Sequence, residues 1–484
     1  MLFSSPEFIL FFLPFTLIGF FAIGRWKSQS LSIAWLLACS LFFYGWWNPA
    51  YLALIGFSVL FNFSVGEALR RREELERSAR GLLVFGVTVN LGLLAYYKYF
   101  EFFVESVNGA FELSLPVSRV LLPLAISFFT FQQIGFLIDT YRGRLRHEGL
   151  QRYALFVCFF PQLIAGPIVH YRDFVPQLRR PEMYHLHWRN LALGLTIFSI
   201  GLFKKTVLAD GLGDYVDPVF STSIVALNVV DAWSGVLAYT FQIYFDFSGY
   251  SDMALGLGQM IGISLPVNFN SPYKSTSIIE FWRRWHMTLS HFLRDYVYIP
   301  LGGNQRGTPR RLINIIVTMG LGGLWHGAGW GFVLWGLLHG TYLVINHFWR
   351  LALRPAETPT RFGRIAGTSA TFFAVLLGWV LFRAVDLEGA IFVYRAMLGM
   401  SVYSQLGEAP TLAFLSQVSL CFAVLALPCA GEIGGRIPTR AGLSRFFEWK
   451  PSPMWIAITC GLLCSSLYTI ATRSHVEAFI YFNF

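Results

Sequence analysis

The chain has 484 residues, of which 55% are hydrophobic, 17% aromatic and only 13% charged, whereas an average soluble domain has about 25% charged residues. This composition excludes an ordinary water-soluble protein and predicts a single membrane-embedded domain over residues 1–484. The net charge of +10 comes from 37 Lys and Arg against 27 Asp and Glu. In a membrane protein such an excess usually marks cytoplasmic loops beside anionic lipid, and it does not indicate a nucleic-acid partner.

Apolar segments of roughly 20 residues, the length that crosses a bilayer as a helix, recur along the chain. The segments that connect the first spans alternate in charge: 25–30, 69–80 and 140–152 are basic, whereas 48–50 and 105–118 contain no Lys or Arg. The positive-inside rule therefore predicts an N-terminus outside the cytoplasm. The first five predicted spans are 6–24, 31–47, 51–68, 81–104 and 119–139.

Residues 153–169 interrupt this alternation. They are apolar, but they lead into the basic stretch 170–190, and a complete crossing would place that charge outside the cytoplasm. Pro161, Gly166 and Pro167 also disfavour a regular helix, so we predict a re-entrant or broken helix, which needs protein or a watery cavity around its backbone. Further spans are predicted near 189–209, 226–245, 311–325, 330–349, 367–385, 411–429 and 454–471.

The most polar long stretch, residues 270–311, contains a helix start signal. Ser277 followed by Glu280 matches a capping box, and Glu280 precedes Arg284 by four residues, a favourable spacing for an ion pair. We predict a continuous helix from Ser277. One face of it would carry residues at four-residue steps: Trp282, His286 and Ser290.

Two interpretations of this helix remain open. In the first it is an amphipathic helix at the membrane interface, with Arg283 and Arg284 at lipid headgroups and His286 merely hydrogen-bonded. Alternatively it lies deeper, where an ionisable residue such as His286 marks a functional site.

The apolar segment from Leu312 to Trp349 is too long for one straight span. As a single helix its 38 residues would extend about 57 Å, nearly twice the hydrocarbon core. We predict a break in "GLGGLWHGAGWG", where six glycines weaken the helix and allow close backbone approach. His326 would then lie at depth beside Trp325, where a neutral imidazole can take a proton from a hydroxyl. A structural histidine bonded to a neighbouring carbonyl is the alternative.

Polar residues also occur in the apolar block "YFDFSGYSDMALGLG" at 244–258. The carboxylates of Asp246 and Asp252 need partners if they are buried. We expect Arg283 and Arg284 to supply them.

Gln132 and Gln133 lie in another apolar block, where they either line a tunnel or join neighbouring helices. The six cysteines lie in or beside apolar stretches, where cysteine acts as a small hydrophobic residue. No CxxC pair or HExxH motif occurs, so we predict neither a disulfide nor a metal site.

Several blocks resemble the membrane-bound O-acyltransferase family, in its bacterial branch that includes the alginate O-acetyltransferase membrane subunit and the D-alanyl transfer protein of teichoic acid. The resemblance runs nearly from end to end, and the last two internal blocks are long and specific. The blocks are "MLFSSPEFILFFLP", "LLPLAISFFTFQQIGFLIDTYRG", "FFPQLIAGPIV", "YFDFSGYSDMALGLG", "EFWRRWHMTLSHFLRDYVYIPLGGNQRG", "GGLWHGAGWGFVLWGLLHG" and the aromatic tail "YFNF".

This resemblance implies an all-α polytopic bundle with re-entrant or broken helices around a central tunnel. It assigns the essential catalytic role to His326, in the "WHG" block, and the second signature position to His286, in the "RRWH" block. We expect the substrates to contact neighbouring polar and aromatic side chains: Trp325, Trp282, Ser290, Arg283, Arg284, Gln132 and Gln133.

The resemblance also implies a multi-pass protein of the bacterial inner membrane that O-acetylates an exopolysaccharide of the alginate or cellulose type. The acetyl donor would be cytoplasmic acetyl-CoA, used as a substrate and not as a tightly bound cofactor. A periplasmic acetyltransferase would be the partner protein. D-alanyl transfer, peptidoglycan O-acyl transfer, and a transporter, flippase or export scaffold remain alternatives.

Overall fold

The computed structural model describes residues 1–26, 28–74, 78–117, 120–146, 148–221, 227–353, 360–400, 411–438, 447–473 and 479–480. Every regular element in these ranges is a helix, and seven helical segments in them are long and apolar enough to cross a membrane. The protein is therefore an all-α polytopic membrane protein, as predicted. The "YFNF" block, at 481–484, lies outside the described residues.

The first part of the chain forms helices close to the predicted spans. The predicted span 81–104 is part of a longer one, because a π-helical turn at Ala95–Tyr99 joins two helices into a segment from Arg80 to Phe111. The predicted start at 119 lies outside the described residues. The backbone of 120–125, around Pro123, is not helical, and the next helix begins at Ile126. These helices are α1 (Leu13–Arg25), α2 (Gln29–Gly45), α3 (Tyr51–Glu74), α4 (Arg80–Leu94), α5 (Phe100–Phe111) and α6 (Ile126–Tyr141).

The basic connections lie together at one end of the bundle, and those without Lys or Arg lie at the other. At the basic end, Ser30 Oγ donates a hydrogen bond to Gln151 Oε1 at 3.0 Å, which joins the first and third basic connections. At the opposite end, Tyr44 Oη donates to the carbonyl of Leu124 at 2.8 Å. We call the two ends the basic end and the neutral-loop end, where neutral means only that the loops contain no Lys or Arg.

The segment after Gly149 enters the bundle and returns to the same end. It forms α7 (Leu150–Cys158) and α8 (Phe160–Leu163), and the amide of Phe160 donates to Ser40 Oγ, well inside α2, at 3.2 Å. The chain then returns to α9 (Tyr171–Phe174), where Tyr171 Oη accepts from the amide of Glu148 at 3.1 Å. The prediction of a re-entrant segment is confirmed.

The middle of the chain builds the core around one long helix. Helix α10 (Trp188–Phe203) continues through a π-helical turn at Lys204–Ala209 towards α11 (Gly213–Phe220), and α12 spans Val229–Ile261. The predicted span 226–245 covers only about half of α12. The helix continues through 246–261, where the polar side chains of Asp246, Ser248, Ser251 and Asp252 are buried. Burial of the two carboxylates requires partners of opposite charge inside the bundle.

Those partners are lysines, so the expected pairing with Arg283 and Arg284 is wrong. Lys204 Nζ lies 2.6 Å from Asp252 Oδ2, and Lys205 Nζ lies 2.7 Å from Asp246 Oδ1. Lys205 also contacts Asp210 at 2.7 Å. Arg284 pairs instead with Glu280 on its own segment, at 2.7 Å, and Arg283 is exposed.

The lysines reach these carboxylates because α10 and α12 cross at very short range. A Cβ atom added at Gly201 would lie 2.5 Å from the carbonyl oxygen of Gly249, and one added at Gly194 would lie 2.6 Å from that of Gly256. Small residues at a crossing allow backbones to approach closely, as in other membrane helix pairs. Paired glycines therefore determine which charges meet in the core.

The last part of the chain contains two short helices followed by the C-terminal spans. The predicted spans at 311–325, 330–349, 367–385, 411–429 and 454–471 each coincide with a helix. The helices are α13 (Ile278–Trp282), α14 (Met287–Leu293), α15 (Gly307–His326), α16 (Trp330–Leu353), α17 (Arg361–Arg383), α18 (Leu387–Met397), α19 (Leu412–Ala426), α20 (Ala430–Ile433) and α21 (Pro453–Thr472).

The orientation of the bundle can be tested with single cysteines. Ser78 is exposed in the second basic connection, and Gly109 is exposed near the end of α5, where an added Cβ meets no atom within 4 Å. We expect Ser78→Cys to be protected from a membrane-impermeant thiol reagent in intact cells, and Gly109→Cys to be labelled. The parent should lack the exposed Cys460 and Cys464. The reverse labelling pattern would overturn the predicted orientation.

Candidate active site

His326 is the last residue of α15, at the predicted helix break. Helix α15 continues through the first glycines of "GLGGLWHGAGWG" and stops at His326, and α16 begins at Trp330. The imidazole is 3% exposed. Aromatic rings surround it, with centroid distances of 5.0 Å to Trp325, 5.1 Å to Trp335 and 5.2 Å to Phe382. The break therefore holds His326 inside the protein, on the carbonyl end of a long helix.

His286 lies opposite, but not on a helix face as predicted. Helix α13 ends at Trp282, and His286 has a left-handed backbone with φ of 42° immediately before α14. The capping interaction at Ser277 and the Glu280–Arg284 pair do form. Only the predicted continuation of the helix past Trp282 is wrong. As a result, Trp282, His286 and Ser290 do not lie on one helix face.

The helix is interrupted because the turn bonds to a neighbouring segment. The amide of Met287 donates to the carbonyl of Asn268 at 2.9 Å, and the amide of Asn270 donates to the carbonyl of Arg284 at 3.0 Å. Asn268 Oδ1 also accepts from the amide and the hydroxyl of Thr288, at 3.3 and 2.9 Å. These contacts replace the helical hydrogen bonds that the turn would otherwise make.

Asn268 also determines which nitrogen of His286 carries a proton. Its Oδ1 must be an acceptor because the amide of Thr288 can only donate. His286 Nδ1, 3.1 Å from that oxygen, is therefore the donor. In the neutral imidazole Nε2 then presents a lone pair, and it has no hydrogen-bond partner among the described residues. The two imidazole centroids are 6.3 Å apart, so the rings are close neighbours, and the candidate site is the space at their edges.

The other predicted site residues do not all reach this space. Trp325 does, because its ring is 6.0 Å from that of His286. Trp282 lies behind Trp335, at a centroid distance of 5.7 Å, and Ser290 donates to the carbonyl of Trp285 at 3.4 Å.

The predicted glutamines lie on α6, where both side chains are buried. Gln133 joins helices, donating to Ser58 Oγ at 2.7 Å and accepting from Tyr153 at 3.1 Å. The amide of Ser290 donates to the carbonyl of His286 at 3.0 Å, but among the described residues no side-chain contact joins Gln133, Ser290, Arg283 or Arg284 to either imidazole.

A cavity of about 90 Å³ leads to His326 from the neutral-loop end. Leu122 and Leu124 in its lining belong to the connection that receives hydrogen bonds from Tyr51 and Tyr44. Lys98 in its lining was missed, although a lysine within the apolar run "LLAYYKYFEFF" is itself a signal of function in a membrane protein. The lining is Trp47, Lys98, residues 122–128, Ile164, Trp325 and His326.

A column of aromatic rings extends from Trp325 towards the basic end. Trp325 stacks on Phe131 at a centroid distance of 5.3 Å, and Phe131 stacks on Phe292 at 4.3 Å. Tyr296 follows at 4.7 Å from Phe292, and its hydroxyl donates to Asp139 Oδ2 at 2.9 Å, near the end of α6. The His326 side of the site thus faces the cavity, and the column begins at the neighbouring Trp325.

Comparison with known proteins identifies the family. The sequence model of the membrane-bound O-acyltransferase family matches residues 146–384, which include both histidines. A peptidoglycan O-acetyltransferase from Helicobacter pylori is 42% identical over 428 residues, which are 83% of this chain and 80% of that protein. The chain belongs to the membrane-bound O-acyltransferase family.

Other members show a similar relationship. A probable alginate O-acetylase from Azotobacter vinelandii is 42% identical over 436 residues, covering 88% of this chain and 84% of that protein. A teichoic acid D-alanyltransferase from Bacillus subtilis is 28% identical over 281 residues, or 55% of this chain and 70% of that protein. The protein is therefore a membrane-bound O-acyltransferase, most similar among these to the O-acetylating members.

The glycines around His326 in this acyltransferase mainly permit close packing. A Cβ added at Gly323 would lie 2.2 Å from the carbonyl oxygen of Phe332, and one at Gly327 would lie 2.1 Å from its ring. That ring packs against Phe382, at a centroid distance of 5.0 Å. Phe382 in turn contacts His326, so the glycines position the imidazole and do not line the cavity.

Two alanine substitutions at the helix break test why glycine is needed there. They distinguish a need for close packing from a need for a flexible backbone. We expect Gly327→Ala to push the Phe332 ring against Phe382 and to lower acyl transfer by about 10²-fold, since small displacements at a reacting centre have effects of that size. Gly329→Ala is the matched control, because its Cβ would lie 3.6 Å from Phe332, an ordinary contact. Transfer rates of the two purified variants provide the measurement, and equal rates would contradict this role of Gly327.

Proposed function

We propose that this O-acyltransferase transfers an acetyl group from cytoplasmic acetyl-CoA across the bacterial inner membrane for O-acetylation of an exopolysaccharide of the alginate or cellulose type. The observation that carries the proposal is the position of His326. It lies between a cavity that opens at the neutral-loop end and an aromatic column that reaches the basic end. The similarity to probable alginate O-acetylases supports the choice of acceptor.

In this scheme His326 is the general base. An acceptor hydroxyl in the cavity gives its proton to the imidazole while its oxygen attacks the thioester carbonyl, and the carbon–sulfur bond then breaks. The departing thiolate takes the proton from the imidazolium, so the products are an O-acetyl ester and free CoA. General-base catalysis of this kind typically contributes roughly 10² to 10⁴ in rate.

His286 is proposed to act on the same reacting group from the other side of the space. Because its Nδ1 proton points to Asn268, a contact from Nε2 to the developing oxyanion requires the imidazolium form. The neutral form instead accepts a hydrogen bond from an N–H group of the acceptor and so orients the acceptor, whose single hydroxyl proton goes to His326. The imidazole is fully buried, and charging it there is costly, so we favour the orienting role.

The donor is proposed to approach from the basic end, as a substrate that binds and leaves in each cycle. CoA carries several phosphates and cannot enter the hydrocarbon core, so its nucleotide must stay at the cytoplasmic surface while the thioester reaches inwards. Arg306, Arg310 and Arg311, at the start of α15, could attract the phosphates. The acetyl group would then pass from the basic end to His326 beside the aromatic column.

The size of the cavity bears on the acceptor. At about 90 Å³ it is far smaller than the roughly 300 Å³ or more of a typical ligand pocket. A narrow hydroxyl-bearing group that projects into it fits better than a sugar chain laid along it. We therefore propose that the first acceptor is a serine of a periplasmic acetyltransferase partner, which passes the acetyl group to the polysaccharide.

Peptidoglycan is the second candidate for the final acceptor. The relative from Helicobacter pylori carries that function in its name and matches this chain as well as the probable alginate O-acetylases do. D-alanyl transfer has weaker support, because the teichoic acid relatives match at 28–29% identity over 54–55% of the chain. Membership of an acyltransferase family also argues against a transporter or flippase.

Replacement of His326 tests the proposal directly. We expect His326→Ala protein, reconstituted in lipid vesicles with labelled acetyl-CoA, to lose detectable acetyl transfer to a serine-bearing acceptor while it remains folded. In cells the exported polymer should then lack O-acetyl groups. Wild-type transfer by this variant would exclude His326 as the base. Labelled acetyl on peptidoglycan, with none on the secreted polysaccharide, would favour the second candidate.

His286→Ala should be less severe than His326→Ala if His286 only orients the acceptor. We expect the transfer rate to fall on the order of 10² to 10³, with normal amounts of protein in the membrane. Asn268→Ala should produce part of the same loss, because the proton on Nδ1 would no longer be fixed. Collapse of the membrane-inserted amount of His286→Ala would instead assign a structural role to this residue.

A further inference from the structure

Lys98 is a buried cation in the wall of the cavity beside His326. It is 9% exposed and lies in the π-helical turn Ala95–Tyr99 that joins α4 to α5. Turns of this type occur frequently at functional sites. A charged residue within a membrane span is costly unless it has strong partners, so its contacts indicate what it does.

The partners of Lys98 are the last carbonyl groups of the helix that carries His326. Its Nζ lies 2.6 Å from the carbonyl oxygen of Trp325 and 3.3 Å from that of His326. The neighbouring hydroxyl of Tyr99 donates to the carbonyl of Leu324 at 2.9 Å. The last carbonyls of a helix have no partner within it, so these two adjacent side chains satisfy three groups that would otherwise be exposed to apolar surroundings.

This use of the charge differs from that of the core lysines. Lys204 and Lys205 are neutralised by carboxylates, whereas no carboxylate in the described part of the chain lies within ion-pair distance of Lys98. A cation at a helix C-terminus is favourable because it complements the negative end of the helix dipole. The charge of Lys98 thus faces the carbonyl end of α15 and not a carboxylate.

The third donor of the ammonium group is also used. Ser127 Oγ, at the start of α6, lies 3.3 Å from Lys98 Nζ. With two carbonyls and one hydroxyl as acceptors, an ammonium group has no N–H left for a substrate. Lys98 is therefore suited to holding the helix end in place and not to transferring a proton.

We infer that Lys98 is a positioning residue for acyl transfer, which clamps the carbonyl end of α15 and so fixes the imidazole of His326 at the cavity. Tyr99 supports the clamp through the carbonyl of Leu324. The chain leaves the helix directly after His326, so the backbone there has no further helical turn to hold it. This inference rests on the proposed role of His326 as the general base.

The test compares Lys98→Met, which keeps most of the unbranched side chain but removes the ammonium group, with Lys98→Arg and Tyr99→Phe. For purified protein in lipid vesicles with acetyl-CoA and a serine-bearing acceptor, we expect Lys98→Met to lower kcat by about 10²-fold. The KM for acetyl-CoA should stay within about twofold, because the donor binds towards the basic end. Lys98→Arg should recover part of the loss, and Tyr99→Phe should lower kcat less than Lys98→Met.

The possible results distinguish a failure of the Lys98 clamp from a failure of His326 as the general base. If His326→Ala is inactive while Lys98→Met keeps the wild-type kcat, the clamp is wrong and the general base stands. If His326→Ala is active, the proposed function itself fails. A rise in KM with unchanged kcat would overturn the positioning role. If Lys98→Met does not fold, Tyr99→Phe decides, and a wild-type kcat in that variant would refute the clamp.

Discussion

A helix that ends inside a membrane leaves carbonyl groups with no water to bond, and this constraint governs the site. Helix α15 ends at His326, within the protein, and its last carbonyls bond to Lys98 and Tyr99 from the turn between α4 and α5. The same ending exposes the imidazole to the cavity. A helix end of this kind would be costly in lipid, and here it also presents the side chain that we propose as the general base.

The second histidine depends on a similar exchange of backbone partners. The turn at His286 gives up helical hydrogen bonds and takes others from Asn268 and Asn270, while Asn268 Nδ2 reaches Ser251 Oγ on α12 at 3.4 Å. Helix α12 is in turn held against α10 by glycine contacts and buried ion pairs. The polar contacts between α10 and α12 therefore do more than stabilise the core. Through Ser251 and Asn268 they also help to orient His286.

Much of this could be predicted from sequence, because span length, basic connections and the glycine-rich break at His326 are local patterns. The left-handed turn at His286 could not, because its cause is Asn268, a residue 18 positions away that only the fold brings near. The partners of Asp246 and Asp252 were missed for the same reason, since a crossing between glycines selects Lys204 and Lys205. Lys98 could have been found, as an isolated cation in an apolar run.

The stacked rings between Trp325 and Tyr296 have a consequence for the cell as a whole. An enzyme that works through the full thickness of a membrane risks becoming a leak for protons and small ions. Phe131 and Phe292 are nearly parallel, with an interplanar angle of 11° and centroids 4.3 Å apart. Rings at that spacing leave no file of water between them. Under the proposed donor path these rings must therefore separate before the thioester reaches His326, and until they do the stacked column offers ions no passage between its rings.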